Sequence, residues 1–175
     1  QVHKIGELAQ NIVPSTGWGM TETNAIGTGI LGKTYLDRPS SSGQCAAILE
    51  LRVVDAEGKL LGPNSIGELQ VRGTSMFRCY WNLPKETAMA FDGDWFRTGD
   101  IASIDREGFV FIVDRAKDII IRGGENIACI AVEDALLEHP DIMEACVYGL
   151  PDDRLGELVW ATALVKREID TEALE

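Results

Sequence analysis

A mixed fold is expected from this sequence: a small, distorted antiparallel β-sheet or barrel followed by an α+β unit. Three observations predict it. Short runs of β-type residues crowd residues 46–113. Two strings, Asp55-Ala56-Glu57-Gly58 and Asp105-Arg106-Glu107-Gly108, punctuate those runs as hairpin turns do. Past Asp114 the pattern changes to strand, Gly-Gly turn, helix and two strands.

The elements follow in order. Ile5, Leu8 and Ile12 recur at helical spacing and Pro14 closes the segment, so a short amphipathic helix is expected over residues 2–12. Residues 15–44 are rich in Gly, Ser and Thr and read as connecting and binding loops. Strands are expected at residues 46–54, 67–72, 76–81, 101–104 and 109–113, with one helix at 84–91, where Pro84 suits a first helical turn. The second unit should hold a strand at 118–121, a helix at 130–138 stopped by Pro140, and strands at 142–148 and 158–166. Asp170 reads as a helix N-cap whose helix is cut short.

Composition narrows the function. The chain has 175 residues, 45% apolar, enough for one domain or two small ones. Lys and Arg number 16 against 28 Asp and Glu, and a net charge of −12 repels phosphate backbones and anionic lipid. Nucleic acid is therefore not the expected partner. Cys45, Cys79, Cys129 and Cys146 form no CxxC pair and have only His3 and His139 for company, which argues against zinc and for reduced thiols in a cytoplasmic protein. No apolar stretch approaches the roughly 18 residues a membrane-spanning helix needs.

One motif matches and is set aside. Gly27-Thr28-Gly29-Ile30-Leu31-Gly32-Lys33-Thr34 satisfies GxxxxGK[ST], yet a P-loop needs a buried strand before it and a helix of useful length after it. The preceding residues 21–26 are mostly polar, and Arg38-Pro39-Ser40 stops a helix soon after Thr34. A nucleotide hydrolase built on Lys33 is kept only as a rival reading.

Four further strings, in order, carry more. They are Gly17-Trp18-Gly19-Met20-Thr21-Glu22, Gly67-Glu68-Leu69-Gln70-Val71-Arg72-Gly73, Trp95-Phe96-Arg97-Thr98-Gly99-Asp100, and the stretch from Asp114-Arg115-Ala116-Lys117 through Gly123-Gly124-Glu125-Asn126. Together they resemble the acyl-adenylate-forming enzymes, the AMP-binding superfamily, and within it most nearly the acyl-CoA synthetases and fatty-acid–CoA ligases. The resemblance implies that residues 1–116 are the end of a large AMP-binding domain and residues 117–175 the start of a mobile C-terminal domain. It also implies that a phosphate-binding loop lies upstream of Gln1 and a catalytic lysine downstream of Glu175, so these 175 residues alone are expected to be inactive.

The roles it implies are specific. Trp18, where most relatives have Tyr, would stack on adenine, with Gly17 and Gly19 letting the backbone approach the nucleotide. Thr21 would bind the α-phosphate and Glu22 would hold Mg²⁺, a hard cation that takes oxygen ligands. Asp100 would accept both hydroxyls of the ribose, and Arg115 would bind ribose or phosphate oxygens with its planar fork. Lys117 falls on the hinge, where backbone torsion swings the small domain. Gly123 and Gly124 would clear space for the pantetheine arm of coenzyme A. Ala128-Cys129 and Ala131-x-Glu133 depart from the Tyr-Pro-like pair and Glu-x-Glu frequent in the family, which bears on the walls of the thiol tunnel.

The implied reaction takes a carboxylic acid and MgATP to acyl-AMP and pyrophosphate, after which coenzyme A displaces AMP. An adenylation domain that loads a carrier protein is the near alternative, and a non-catalytic binding module the distant one. The acyl substrate and the oligomeric state are not expected to be legible in these residues.

Overall fold

A computed structural model describes residues 13–166. The helix expected over residues 2–12 and the N-cap at Asp170 lie outside the described residues. Contacts divide the chain into two compact units, with the boundary between Ile112 and Val113.

The first unit is built on one antiparallel sheet. Its strands are β1 (Ser15–Thr16), β2 (Thr28–Leu31), β3 (Gly43–Cys45), β4 (Leu49–Val54), β5 (Gly67–Gly73), β6 (Phe91–Asp92) and β7 (Trp95–Ile104), together with β8 (Phe109–Arg115), which crosses the boundary. Their order is β1-β2-β3-β8-β7-β5-β4, with β6 paired to β7. Among the described residues that path does not return on itself, so the unit is an open sheet and not a closed barrel.

Period-2 alternation gives the sheet two unlike faces. Leu49, Val53, Leu69, Val71, Phe96, Ala102 and Val110 are buried and form two adjoining apolar clusters. The opposite face of β4, β5, β6 and β7 carries ion pairs: Arg72 pairs with Glu50 at 2.7 Å, Arg97 with Glu68 at 3.0 Å and Arg52 with Asp92 at 2.9 Å. The guanidiniums of Arg52 and Arg72 each lie 4.5 Å from the Trp95 ring centroid, so the indole is shared by two cations.

Both expected turns form, by the same chemistry. Asp55 Oδ1 accepts from Glu57 N and Lys59 N, and Asp105 Oδ1 from Glu107 N and Phe109 N, which is how an Asx side chain stands in for a backbone turn.

Three expectations need correction. Residues 76–81 are not a strand: Phe77 N is donated to Glu22 O and Tyr80 N to Thr87 Oγ1, so the backbone is satisfied by a loop and a side chain in place of a ladder. Residues 46–54 are not one strand, because a turn closed by Leu49 N on Ala46 O precedes β4. Residues 15–44 carry three strands, the 3-10 turn Thr21–Thr23 and the helix α1 (Gly32–Asp37), and are not loop alone. The expected helix after Pro84 is present as α2 (Pro84–Met89).

The second unit is a four-stranded antiparallel sheet with one helix. β9 (Ile119–Arg122), β10 (Glu125–Ala128), β11 (Ile142–Asp152) and β12 (Gly156–Val165) take the order β10-β9-β12-β11, and α3 (Cys129–Leu137) joins β10 to β11. Val132 and Leu136, one helical turn apart, close over Ile120, Cys129 and Val147.

Candidate functional site

Gly17-Trp18-Gly19 leaves β1 and is locked to β2. Trp18 N donates to Thr28 Oγ1 at 3.0 Å, and Thr28 N donates to Trp18 O at 2.8 Å. A Cβ on Gly17 would stand 2.4 Å from Thr28 O, and one on Gly19 2.8 Å from Ala25 O. A Cβ on Gly27 would stand 2.0 Å from Trp18 O. The protein's own backbone therefore requires these glycines, a reason that sequence reasoning did not supply. The half-buried indole rests against both apolar clusters.

Asp100 reaches the same place from 82 residues away. Trp18 Nε1 donates to Asp100 Oδ2 at 2.7 Å. Sequence reasoning expected Asp100 on a tight turn, but the strand runs through it. Glu68 pairs with Ile101 and Gln70 with Arg97, so Leu69 faces the three residues Thr98, Gly99 and Asp100 across a bulge. Gly99 has φ 72, the left-handed region that glycine enters without a Cβ clash. Thr98 Oγ1 donates to Leu69 O at 2.7 Å and accepts from Asp100 N at 3.0 Å. Asp100 is 5% exposed and turned inward by this kink.

Thr21 and Glu22 sit on the 3-10 turn Thr21–Thr23. Fully buried Thr23 nails the turn down, its Oγ1 accepting from Met20 N at 3.1 Å and donating to Met20 O at 2.9 Å. Asn24 and Ala25 follow with φ 54 and 62. A left-handed Ala costs on the order of 1 kcal/mol, and strain of this kind gathers at functional sites. Thr21 is exposed and Glu22 half-buried. Met20 and Phe77 pack on the cluster that supports Trp18.

Sequence reasoning missed Tyr80. Its Oη donates to Glu22 Oε1 at 2.8 Å across 58 positions. Burial first, and then that bond, push the phenol up to about 12, so it is a donor at neutral pH. Phe77, whose ring lies tilted against Tyr80 with centroids 4.8 Å apart, donates its backbone N–H to Glu22 O at 2.7 Å. No local pattern signals a contact between residues so distant.

Among the described residues no three His, Cys, Asp or Glu side chains gather as a metal cage. Glu22, a single half-buried carboxylate next to exposed Thr21, fits a cation that arrives on phosphates. Mg²⁺ keeps water and phosphate oxygens as most of its ligands and takes one or two carboxylates from the protein.

The remaining expected residues, Arg115, Lys117, Gly123 and Gly124, all lie in the second unit. Arg115 ends β8 and is exposed, its backbone N donating to Asp114 Oδ1 at 2.7 Å. Asp114 Oδ2 accepts from Ile130 N at 3.2 Å in the first turn of α3. Lys117 is exposed on the 3-10 turn Ala116–Asp118. Gly123 and Gly124 form the β9–β10 hairpin tip with φ 61 and 89, the pair of positive angles a tight hairpin turn requires. Gly123 N donates to Leu155 O at 2.7 Å.

The P-loop pattern has no P-loop. Thr28–Leu31 is strand, α1 is six residues long, and Lys33 Nζ pairs with Asp37 at 2.7 Å with its side chain 85% exposed.

Comparison with known proteins gives a concordant result. Residues 5–81 match the family described as AMP-binding enzyme, and residues 131–175 the AMP-binding enzyme C-terminal domain. The chain is 37% identical over 153 residues to the long-chain-fatty-acid–CoA ligase FadD13 of Mycobacterium tuberculosis, covering 87% of this chain and 30% of that protein. It is 39% identical over 166 residues to the pyochelin synthase PchD of Pseudomonas aeruginosa, covering 91% and 30%. The structure superposes on o-succinylbenzoate CoA synthetase (MenE) from Bacillus subtilis in complex with the acyl-adenylate OSB-AMP. That superposition has a TM-score of 0.91 and 29% identity, over 99% of this chain and 35% of that one. Against the same enzyme in complex with ATP and magnesium ion the TM-score is 0.87, at 29% identity over 97% and 34% of the two chains. The chain thus spans about a third of the length of the proteins it matches.

Proposed function

The chain belongs to the AMP-binding enzymes, and on that premise we propose that it is part of an AMP-forming acid–thiol ligase, with the nucleotide side in the first unit. The observation that carries this reading is the 2.7 Å bond from Trp18 Nε1 to Asp100 Oδ2. It joins the residue offered for adenine to the residue offered for ribose, and the turn bearing Thr21 and Glu22 leans on the same apolar cluster.

In this reading the Trp18 ring offers a π-face to adenine, and Asp100 accepts hydrogen bonds from the ribose diol. Gly19 keeps the chain close to the nucleotide. Thr21 donates its hydroxyl to an α-phosphate oxygen. Glu22 is the protein ligand for Mg²⁺, which supplies charge neutralisation for the phosphates of ATP. Most of the barrier reduction comes from holding carboxylate and α-phosphorus in line while positive charge and donors surround the phosphate oxygens. Arg115 adds a bidentate contact to ribose or phosphate oxygens.

The division at residues 116/117 is part of the proposal: torsion at Lys117 exchanges an adenylating arrangement for a thioester-forming one. Gly123 and Gly124 then line the approach of coenzyme A, the inferred acceptor. The reading is supported by the likeness of residues 114–126 to the CoA-ligase branch. An acyl-carrier acceptor is the rival, and the cytoplasm is the proposed compartment.

The test is ATP–pyrophosphate exchange by the full-length protein with a panel of carboxylic acids. Asp100→Ala should abolish nucleotide binding while Lys33→Ala leaves it intact. The reverse order would return the P-loop reading. Acyl-CoA formation with free coenzyme A, against transfer only to a carrier protein, decides the acceptor.

A further inference from the structure

The segment at residues 75–80 grips the Glu22 turn in three places. Asn24 Nδ2 donates to Ser75 O at 2.7 Å, Phe77 N to Glu22 O at 2.7 Å and Tyr80 Oη to Glu22 Oε1 at 2.8 Å. The first two bonds already dock the turn, so the third acts on the glutamate side chain alone. Tyr80 is itself held at two points. Its backbone N donates to Thr87 Oγ1 at 3.0 Å, and Thr87 Oγ1 donates to Leu83 O at 2.8 Å at the start of α2. Its ring lies 4.8 Å from Phe77, which meets Phe91 at 5.8 Å and Phe96 at 5.4 Å. A rigid aromatic chain therefore runs from the sheet core to one carboxylate oxygen.

We propose that Tyr80 is a positioning residue for the Mg²⁺ carboxylate: its hydroxyl engages Glu22 Oε1 and presents Oε2 to the cation. The proposal rests on the reading of Glu22 as the metal ligand. A free glutamate must surrender rotamer freedom when it binds an ion, and a donor that freezes it beforehand removes that cost. The donor is neutral, and this matters. An Arg or Lys in its place would satisfy the carboxylate's charge and compete with the cation, whereas a phenol fixes the geometry and leaves the full negative charge to the metal.

The experiment uses the full-length protein, with Tyr80→Phe, Glu22→Gln and the double variant. In Tyr80→Phe the free Mg²⁺ giving half-maximal ATP–pyrophosphate exchange should rise roughly tenfold, the lower end for an outer-shell partner. At saturating Mg²⁺ the maximal rate should stay within about twofold of wild type. Mn²⁺ binding in the presence of ATP and without acid, read by electron paramagnetic resonance, should weaken by a similar factor with no turnover involved. Glu22→Gln should weaken both at least as much, and Tyr80→Phe on that background should add nothing, because the two residues act as one unit. If Glu22→Gln shifts the metal readouts and Tyr80→Phe does not, the positioning role is overturned and the metal ligand stands. A Tyr80→Phe protein that melts lower yet binds Mn²⁺ as wild type does overturns it equally, since packing would then be its whole contribution. If neither variant shifts Mn²⁺ binding, Glu22 is not the ligand and both readings fall.

Discussion

The two units treat their candidate residues in opposite ways. In the first, Asp100 is 5% exposed and tied to Trp18, and Glu22 is gripped from a segment 58 positions away. In the second, Gly123 and Gly124 stand exposed at a hairpin tip, and Arg115 and Lys117 are exposed near its start. The contrast teaches where organisation is spent. Side chains that must match one rigid ligand gain affinity by being fixed before it arrives, because ordering costs are then not charged to binding.

The largest effect that could break this contrast is expected from paired glycine variants. Gly27→Ala puts a Cβ 2.0 Å from Trp18 O, so the backbone around the indole must move, and denaturant unfolding of the full-length protein should show several kcal/mol of lost stability. Gly124→Ala meets nothing within 4 Å and pays only for its φ of 89, roughly 1 kcal/mol. Equal losses would contradict the idea that one region is pre-built and the other open.

Asp100→Asn comes next, since it keeps the shape and removes the charge. kcat/KM for ATP should fall about 100-fold, with a smaller fall for 3′-deoxy-ATP, whose diol is already broken. Of comparable size but confined to one half-reaction, Lys117→Pro should restrict the torsion proposed for the hinge. Pyrophosphate exchange should survive while thioester formation drops on the order of 100-fold, which single-turnover measurements separate. Loss of both halves together would remove the hinge from the account.

Trp18→Phe sharpens the comparison within the first unit. It retains a stacking face and deletes the Nε1 donor, so ATP affinity should weaken by about tenfold, the worth of one bond to a charged group. Preference for ATP over 2′-deoxy-ATP should narrow, because Asp100 loses the bond from the indole Nε1.

The smallest effect is alkaline. Tyr80 titrates near 10 when unfolded and at about 12 when folded, so its contribution is complete below pH 10 and is lost as pH rises toward 12. Tyr80→Phe should flatten the fall in stability between pH 9 and 11, measured by urea unfolding.

Much of the fold was legible because its causes are local. Asp55 and Asp105 announced their turns by carrying the acceptor that closes them, and the apolar alternation at Leu49, Leu51 and Val53 and at Leu69 and Val71 stands in the letters of β4 and β5. Residues 76–81 misled for the same reason: aromatic and apolar side chains there resemble a strand, but their partners are Glu22, Thr87 and Phe96, and no local rule reaches so far. In the site, residue types were readable by resemblance, whereas their mutual bonds were not. Trp18 and Asp100 meet across 82 positions, and Tyr80, which no string singled out, holds Glu22.

The bulge at Thr98-Gly99-Asp100 sets the tolerance of β7 to insertions and deletions. Three residues stand where one would do, and an even surplus keeps the pleat in phase, so Phe96 and Ala102 both reach the core from either side of it. Losing a single codon here would turn half the strand over, carrying Arg97 inward and Phe96 out to water. Losing two would restore the alternation and leave a better-behaved ribbon with no acid beside the Trp18 indole. Length, as much as identity, is under constraint at this one spot.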